Sequence, residues 1–234
     1  MGGVLGAAAT AGYLVKPDSP IKSYKDIKGK TLAFASPGGY MHWVAIAAVK
    51  AAGLTTQEVK LLPAGGSPEA WAAVQGGAAD AAWAIDGGGS QMVIDGKARW
   101  AFKDADILPD FQSTAFYTSQ KEMTERPDQL KAFLRAYQKS AEYVQANFDE
   151  ALRLWTAYTS VSQAGITYDK AKQIMDIYPL PLSALTTKLS VAGLKVNGEL
   201  MLETGVVKEK VDWSKIIDQS FLAPALQVDL SKIQ

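Results

Sequence analysis

The chain has 234 residues, 48% of them apolar and 21% charged, enough for one large domain or two small lobes and too ordinary a mix for a disordered or fibrous protein. Its 24 Lys and Arg balance 24 Asp and Glu, so no overall basic field draws in phosphate backbones, and no nucleic-acid partner is expected. With no cysteine and a single histidine, His42, the chain lacks disulfides, thiolate nucleophiles and Cys-based zinc or iron–sulfur sites, and no metal or other cofactor is expected.

Residues 4–15 form the longest apolar stretch, but Gly6 and Gly12 interrupt it, and it falls far short of the ~20 residues a spanning helix needs. It also lacks the Lys or Arg that opens a signal peptide, so residues 11–16 read as a β-strand running into a turn at residues 17–20. From residue 30 to residue 102 short apolar runs alternate with helix-like segments, the pattern of βαβ units around a parallel sheet. Residues 31–35 are the first of these strands, broken by Ser36, Pro37, Gly38 and Gly39. Residues 40–52 follow as a helix stopped by Gly53; it is apolar nearly all round and therefore expected to be buried. A strand at residues 59–62 leads through Pro63, Ala64, Gly65 and Gly66 to a helix that Ser67 would cap, with Pro68 at its first position. A strand at residues 79–85, a glycine-rich loop at residues 86–89, a short helix at residues 90–95 and a strand at residues 98–102 complete this part.

Beyond Pro109 the texture turns helical, with one strand-like run at residues 114–119. Pro127 opens a helix whose Leu130, Phe133, Leu134, Tyr137, Ala141 and Val144 keep to one face. Asn147 with Glu150 reads as a capping pair for the next helix, Thr167 as the cap of another through Tyr178, and residues 194–204 as a last helix closing at Gly205. The change of texture fits two lobes divided near residues 105–115.

In a parallel sheet the carboxyl ends of the strands share one edge, and ligands bind in the crevice outside it. Three turns would meet there, at residues 36–40, 63–67 and 86–89, and two of them open onto helix N-termini, where unpaired N–H groups and the helix dipole favour a carboxylate, sulfonate or phosphate. Ser36 and Gly39 would supply a hydroxyl and an approachable backbone, Tyr40, His42 and Trp43 aromatic surface and a donor, and Gly65 and Ser67 the second turn. The same residues also read more plainly. Residues 36–39 make an ordinary βα turn, Ser67 an ordinary cap, and His42 a satisfied core side chain. Asp86 is either a turn residue bonding its local N–H groups or an acceptor for a ligand amine or hydroxyl. Trp71 and Trp83 read as core packing before ligand walls.

Five segments, PIKSYKDIKGK at residues 20–30, TLAFASPGG at 31–39, AAVQGGAADAAWAID at 72–86, ERPDQLKAFLRAYQKSAEYVQANFDEA at 125–151 and LETGVVKEKVDWSKIIDQSFL at 202–222, together resemble the substrate-binding proteins of ABC importers of the nitrate/sulfonate/taurine type, the NMT1/THI5-like family. The resemblance implies an α/β, periplasmic-binding-protein-like (type II) fold whose two lobes close on a small anionic or aromatic organic molecule and deliver it to a membrane permease, outside the cytoplasm and without catalysis. It places the family's first ligand loop on Ser36, Gly38, Gly39, Tyr40 and His42, and the loop after the third strand on Asp86. Where relatives often carry an aromatic or glutamate before proline, this chain has Asp86 before Gly87. Relatives usually begin with a strand-and-helix series ahead of the first hinge, whereas this chain starts near that hinge. One complete doubly wound βαβ lobe at residues 12–112 is therefore expected, with a mostly helical remnant of the second lobe at residues 113–234, its N-terminal part absent and its exposed apolar faces prone to self-association. The competing readings are an enzyme resembling the thiamine pyrimidine-precursor synthases, whose chemistry uses cysteine and histidine, and a ligand-sensing module.

Overall fold

The computed structural model describes residues 3–5, 11–158, 166–177, 179, 182 and 185–233, with residues 3–5, 86 and 87 given by their backbone alone. Its strands are β1 (Gly3–Leu5), β2 (Ala11–Val15), β3 (Thr31–Phe34), β4 (Lys60–Pro63), β5 (Ala81–Ile85), β6 (Arg99–Lys103) and β7 (Thr114–Ala115). Its helices are α1 (Tyr40–Ala51), α2 (Ser67–Gln75), α3 (Asp86–Ile94), α4 (Gln120–Glu125), α5 (Pro127–Ala146), α6 (Phe148–Ala157), α7 (Tyr168–Ile177) and α8 (Val191–Glu203). Five strands form one sheet in the order β4-β3-β5-β2-β6, and β1 pairs with β7 in a second, two-stranded sheet.

Side chains alternate across the large sheet as a pleat requires. Tyr13, Val15, Leu32, Ala81 and Trp83 join the cluster that packs on α1, while Leu14, Ala33, Ala82 and Ala84 join the cluster of α2 and α3 on the other face. The sheet is thus covered on both sides, the doubly wound arrangement. It is not all parallel, however. β3 runs parallel to β4 and β5, but β2 lies antiparallel to both of its neighbours, β5 and β6. The parallel sheet read from the sequence is corrected here, because a strand's direction is set by partners some 70 to 90 residues away and leaves no local mark.

Why α1 has almost no polar face is now visible. Val44, Ala45, Ala47, Ala48 and Val49 are buried, and Leu200 of α8 belongs to the same cluster, with Val196 packed against it, so the helix lies between the sheet and α8. Trp43 Nε1 donates to Thr204 Oγ1 at 3.1 Å, and Lys50 pairs with Glu203, fixing the two helices at their ends.

Four local expectations change. The glycine-rich loop at residues 86–89 does not exist as a loop, since α3 begins at Asp86 directly after β5. A Cβ on Gly89 would lie 2.3 Å from the Trp100 ring, so this glycine lets the helix settle on β6 where the sequence pattern read it as a breaker. Ser67 is the first residue of α2 and Gly66 its N-cap, with no side-chain cap bond. Asn147 is the N-cap residue of α6 but makes no side-chain cap bond to it; its Nδ2 donates back to Tyr143 O at 3.1 Å and closes α5. Of residues 114–119 only Thr114–Ala115 pairs as a strand. Thr167 does accept from Lys170 N at 3.3 Å at the start of α7; Tyr178, the expected end of that helix, lies outside the described residues.

β2 and β6 are neighbours in the large sheet, as are β1 and β7 in the small one, and the start of β2 lies beside the end of β6. The later passage, residues 104–113, is held by Gln112, whose Oε1 accepts from Ser190 N at 2.7 Å and whose carbonyl accepts from Asn197 Nδ2 at 2.9 Å. The C-terminal part has a small core of its own around Leu189, Leu194, Ile217 and Ile233. No helix among the described residues is long and apolar enough to cross a membrane.

Candidate functional site

Because β3, β4 and β5 run the same way, their carboxyl ends share an edge, and the turns that follow them meet there. The first two are tied together: Ala64 N donates to Phe34 O at 2.7 Å and Gly65 N to Ala35 O at 3.0 Å, which carries the β3–β4 ladder into the turns. Ser36, Gly38, Gly39, Tyr40 and His42 are thereby brought beside Gly65 and Ser67. Asp86 follows β5 on the other side of β3, at the first position of α3; its side chain lies outside the described residues.

In the first turn Gly38 sits at φ 79°, in the left-handed region, and Gly39 is the extended N-cap of α1. Gly38 N donates to His42 Nδ1 at 3.1 Å, and the imidazole stacks on Phe34 with ring centroids 5.0 Å apart and planes 12° from parallel. Since Nδ1 accepts, the neutral ring carries its proton on Nε2, which is left as the donor for anything outside. Burial lowers the His42 pKa from its ordinary value, so the ring is neutral at pH 7. One imidazole nitrogen is thus satisfied within the turn, and the other is the ring's donor.

Tyr40 differs from expectation in what its hydroxyl does. It turns inward and donates to Asp104 Oδ2 at 2.7 Å, while the ring meets Trp83 edge-on at 5.9 Å and Phe111 at 5.0 Å. Trp83 Nε1 donates to the same oxygen at 3.0 Å, and both Trp83 and Trp71 are core residues on opposite faces of the sheet. Asp104 was not singled out by the sequence, where it is one of three acids in the run DADILPD at residues 104–110. It is fully buried at the end of β6, and burial pushes its carboxyl up to about 7 against the opposing pull of the Tyr40 and Trp83 hydrogen bonds.

The three helix N-termini at this edge are not equivalent. At α2 a Cβ on Gly66 would lie 2.6 Å from Glu69 Oε2, so the helix's own carboxylate is folded over its start. α3 begins on Asp86. α1 carries no acid in its first turn and no side-chain cap, and its N–H groups and dipole face the edge without an internal anion. The C-terminal part reaches the same place, since a Cβ on Gly38 would lie 3.6 Å from Val206 Cγ2, just past the end of α8. Among the described residues no group of three or more His, Asp or Glu side chains is placed to hold a metal ion.

Comparison with solved structures places the whole architecture. The periplasmic aliphatic sulphonate binding protein SsuA from Escherichia coli is similar over 97% of this chain and 72% of its own, at TM-score 0.68 and 21% identity. The periplasmic nitrate-binding protein NrtA from Synechocystis PCC 6803 is similar over 99% of this chain and 69% of its own, at TM-score 0.67 and 14% identity. The desulfurization enzyme DSZB is similar over 94% and 76%, at TM-score 0.65 and 14% identity. At such identities the likeness is one of fold, and it agrees with the periplasmic-binding-protein-like architecture. No curated protein matches the sequence. The family model described as NMT1/THI5 like matches residues 3–151, from the first strand through the start of α6. The chain therefore belongs to the NMT1/THI5-like family.

Proposed function

We propose that this chain is the solute-binding component of an ABC importer, taking a small anionic or aromatic organic molecule at the shared strand edge. The observation that carries this reading is the start of α1. A helix N-terminus free of its own carboxylate stands beside an imidazole whose remaining donor is Nε2–H, so backbone N–H groups, dipole and side chain all favour an oxyanion. Sulfonate and nitrate, the ligands in the names of two proteins of the same fold, are oxyanions. The sheet-bearing part, residues 12–112, would form one wall and residues 113–234, through Val206, the other. A ligand that gains contacts to both shifts the population toward closure. Micromolar capture needs about −8 kcal/mol, which a few charge-assisted hydrogen bonds and one aromatic contact can supply. A place outside the cytoplasm and a membrane permease as partner follow from the same reading. The fold shared with DSZB supports a second reading, an enzyme acting on an organic acid.

A thermal-shift panel of ethanesulfonate, taurine, nitrate, benzoate and pyrimidines tests it. A ligand at 100 times its Kd stabilises by about 2.7 kcal/mol, a rise in Tm of roughly 5–10 °C for a chain of this size. Gly39→Val adds a Cβ that meets only Ser36 O at 3.8 Å, so the fold persists while the mouth of α1 is filled. That variant and His42→Ala should each weaken the binder about tenfold or more. Equal binding by both variants, or no anion binding at all, overturns the assignment, and product released from any panel member turns the conclusion to the enzyme.

A further inference from the structure

Asp104 sits where three parts of the molecule meet, and its geometry is lopsided. Oδ2 accepts from Tyr40, the first residue of α1, at 2.7 Å and from Trp83 of β5 at 3.0 Å, while Oδ1 is buried with no hydrogen-bond partner among the described residues. The hydroxyl of Tyr13 on β2 is likewise buried without a hydrogen-bond partner among the described residues, and the Asp104 charge adds to the rise that burial imposes on its pKa. The backbone of Asp104 opens the passage that leaves β6 for the C-terminal part. One carboxyl thus holds the start of the candidate binding helix, the central strand and the passage between the sheets.

We propose that Asp104 is a positioning residue for the candidate binding edge: the charge on its carboxyl sets how firmly Tyr40 and Trp83 are held to the passage, and so the geometry of the α1 mouth. The inference rests on the proposed binding role for its consequence, while the linkage itself can be read without any ligand. Both donors point at one oxygen, so a proton would take the other, Oδ1, and the two bonds to Oδ2 would drop from charge-assisted to neutral strength, roughly half. The groups facing the carboxyl are the Tyr40 hydroxyl from α1, the Trp83 indole from β5, the Tyr13 hydroxyl from β2 and, from its own turn, the Asp106 carboxylate, whose negative charge favours protonation. No cation is among the causes of its shift, so the balance lies between burial and two hydrogen bonds, which leaves the carboxyl poised at about 7.

Nuclear magnetic resonance of the ligand-free protein from pH 5.5 to 8.5 decides the linkage. The Trp83 indole N–H and the backbone amides of Ser36, Gly39 and Met41 should share a midpoint near neutrality, above any step that His42 adds to the turn amides, and Asp104→Asn, which keeps the acceptor and removes the charge, should abolish that shared step. Tyr40→Phe, lacking one bond to the charged form, should raise the midpoint and serves if the Asn variant fails to fold. A Trp83 signal without a midpoint in this range, or one that titrates while the turn amides stay still, overturns the proposal. Titration of ethanesulfonate into wild type should then give a Kd that changes with the same midpoint. Asp104→Asn should match the wild-type acid limb at every pH, and Asp104→Ala should bind about tenfold more weakly than either. If no probe binds, the binding role fails and the resonance data alone judge the linkage.

Discussion

His42 and Asp104 pull stability in opposite directions as pH changes, and each sign follows from which protonation state burial excludes. His42 has a lowered pKa in the folded chain, so between that value and 6.5 the unfolded chain binds the extra proton and stability rises with pH. Protonating Nδ1 would also turn the acceptor of the Gly38 N–H into a donor. Asp104 has a raised pKa, so between about 4 and about 7 the folded chain holds the proton that the unfolded chain has lost, and stability falls as pH rises. Across that window the loss amounts to at most about 4 kcal/mol, since each tenfold fall in proton activity is worth about 1.4 kcal/mol. Urea unfolding of Asp104→Asn against wild type at several pH values should show the variant gaining relative stability steadily from pH 4 to 7 and no further above it. A flat difference would mean that the carboxyl is ionised throughout. The part played by Asp104 was not legible in the sequence, where it is an acid among acids; only the fold brings Tyr40, Trp83 and Tyr13 from three other elements onto it.

At the scale of elements, segments whose neighbours in sequence are also their neighbours in space were readable almost to the residue. α1 was expected at residues 40–52 and runs Tyr40–Ala51, and the strand expected at residues 31–35 is Thr31–Phe34. What escaped depends on distant partners. β2 is antiparallel because of β5 and β6, and α3 starts early because Gly89 accepts the ring of Trp100. The candidate site was half legible on the same grounds. Turns after strands are local signals, but the covering of the α2 start by Glu69 and the inward turn of the Tyr40 hydroxyl are tertiary. β2 also approaches β6 unusually closely, with a shift of register between Tyr13 and Leu14. A Cβ on Gly12 would lie 2.5 Å from Phe102 O, a backbone atom that cannot swing aside. Gly12→Ala should therefore cost about 1–3 kcal/mol, read as a lower urea midpoint with unchanged slope. A neutral result would show that the two strands separate more easily than their register implies.

Over the whole molecule the two parts differ in how well they cover themselves. The sheet buries its apolar residues on both faces, whereas α5, whose one buried residue among those described is Ala141, and α6 leave Phe133 52%, Leu154 60% and Trp155 48% exposed, with Tyr158 just beyond α6 at 67%. Exposed apolar surface of this kind favours contact between copies. Sedimentation over a hundredfold concentration range should show a mass that rises with concentration, and Leu154→Lys with Trp155→Glu should hold the chain at the mass of one copy. A concentration-independent monomer in wild type would sink that expectation. The stripe on α5 and exposed apolar helix faces in this part were expected from the sequence; that Leu154, Trp155 and Tyr158 would be among the exposed side chains was not.

Residues 104–113 lead from β6 toward the C-terminal part, and α8 is braced against α1. Were α8 to swing away from α1, the Trp43 indole would have to leave Thr204 and Lys50 would have to leave Glu203. The indole of Trp43 would for that reason report the parting of α8 from α1 with no attached label.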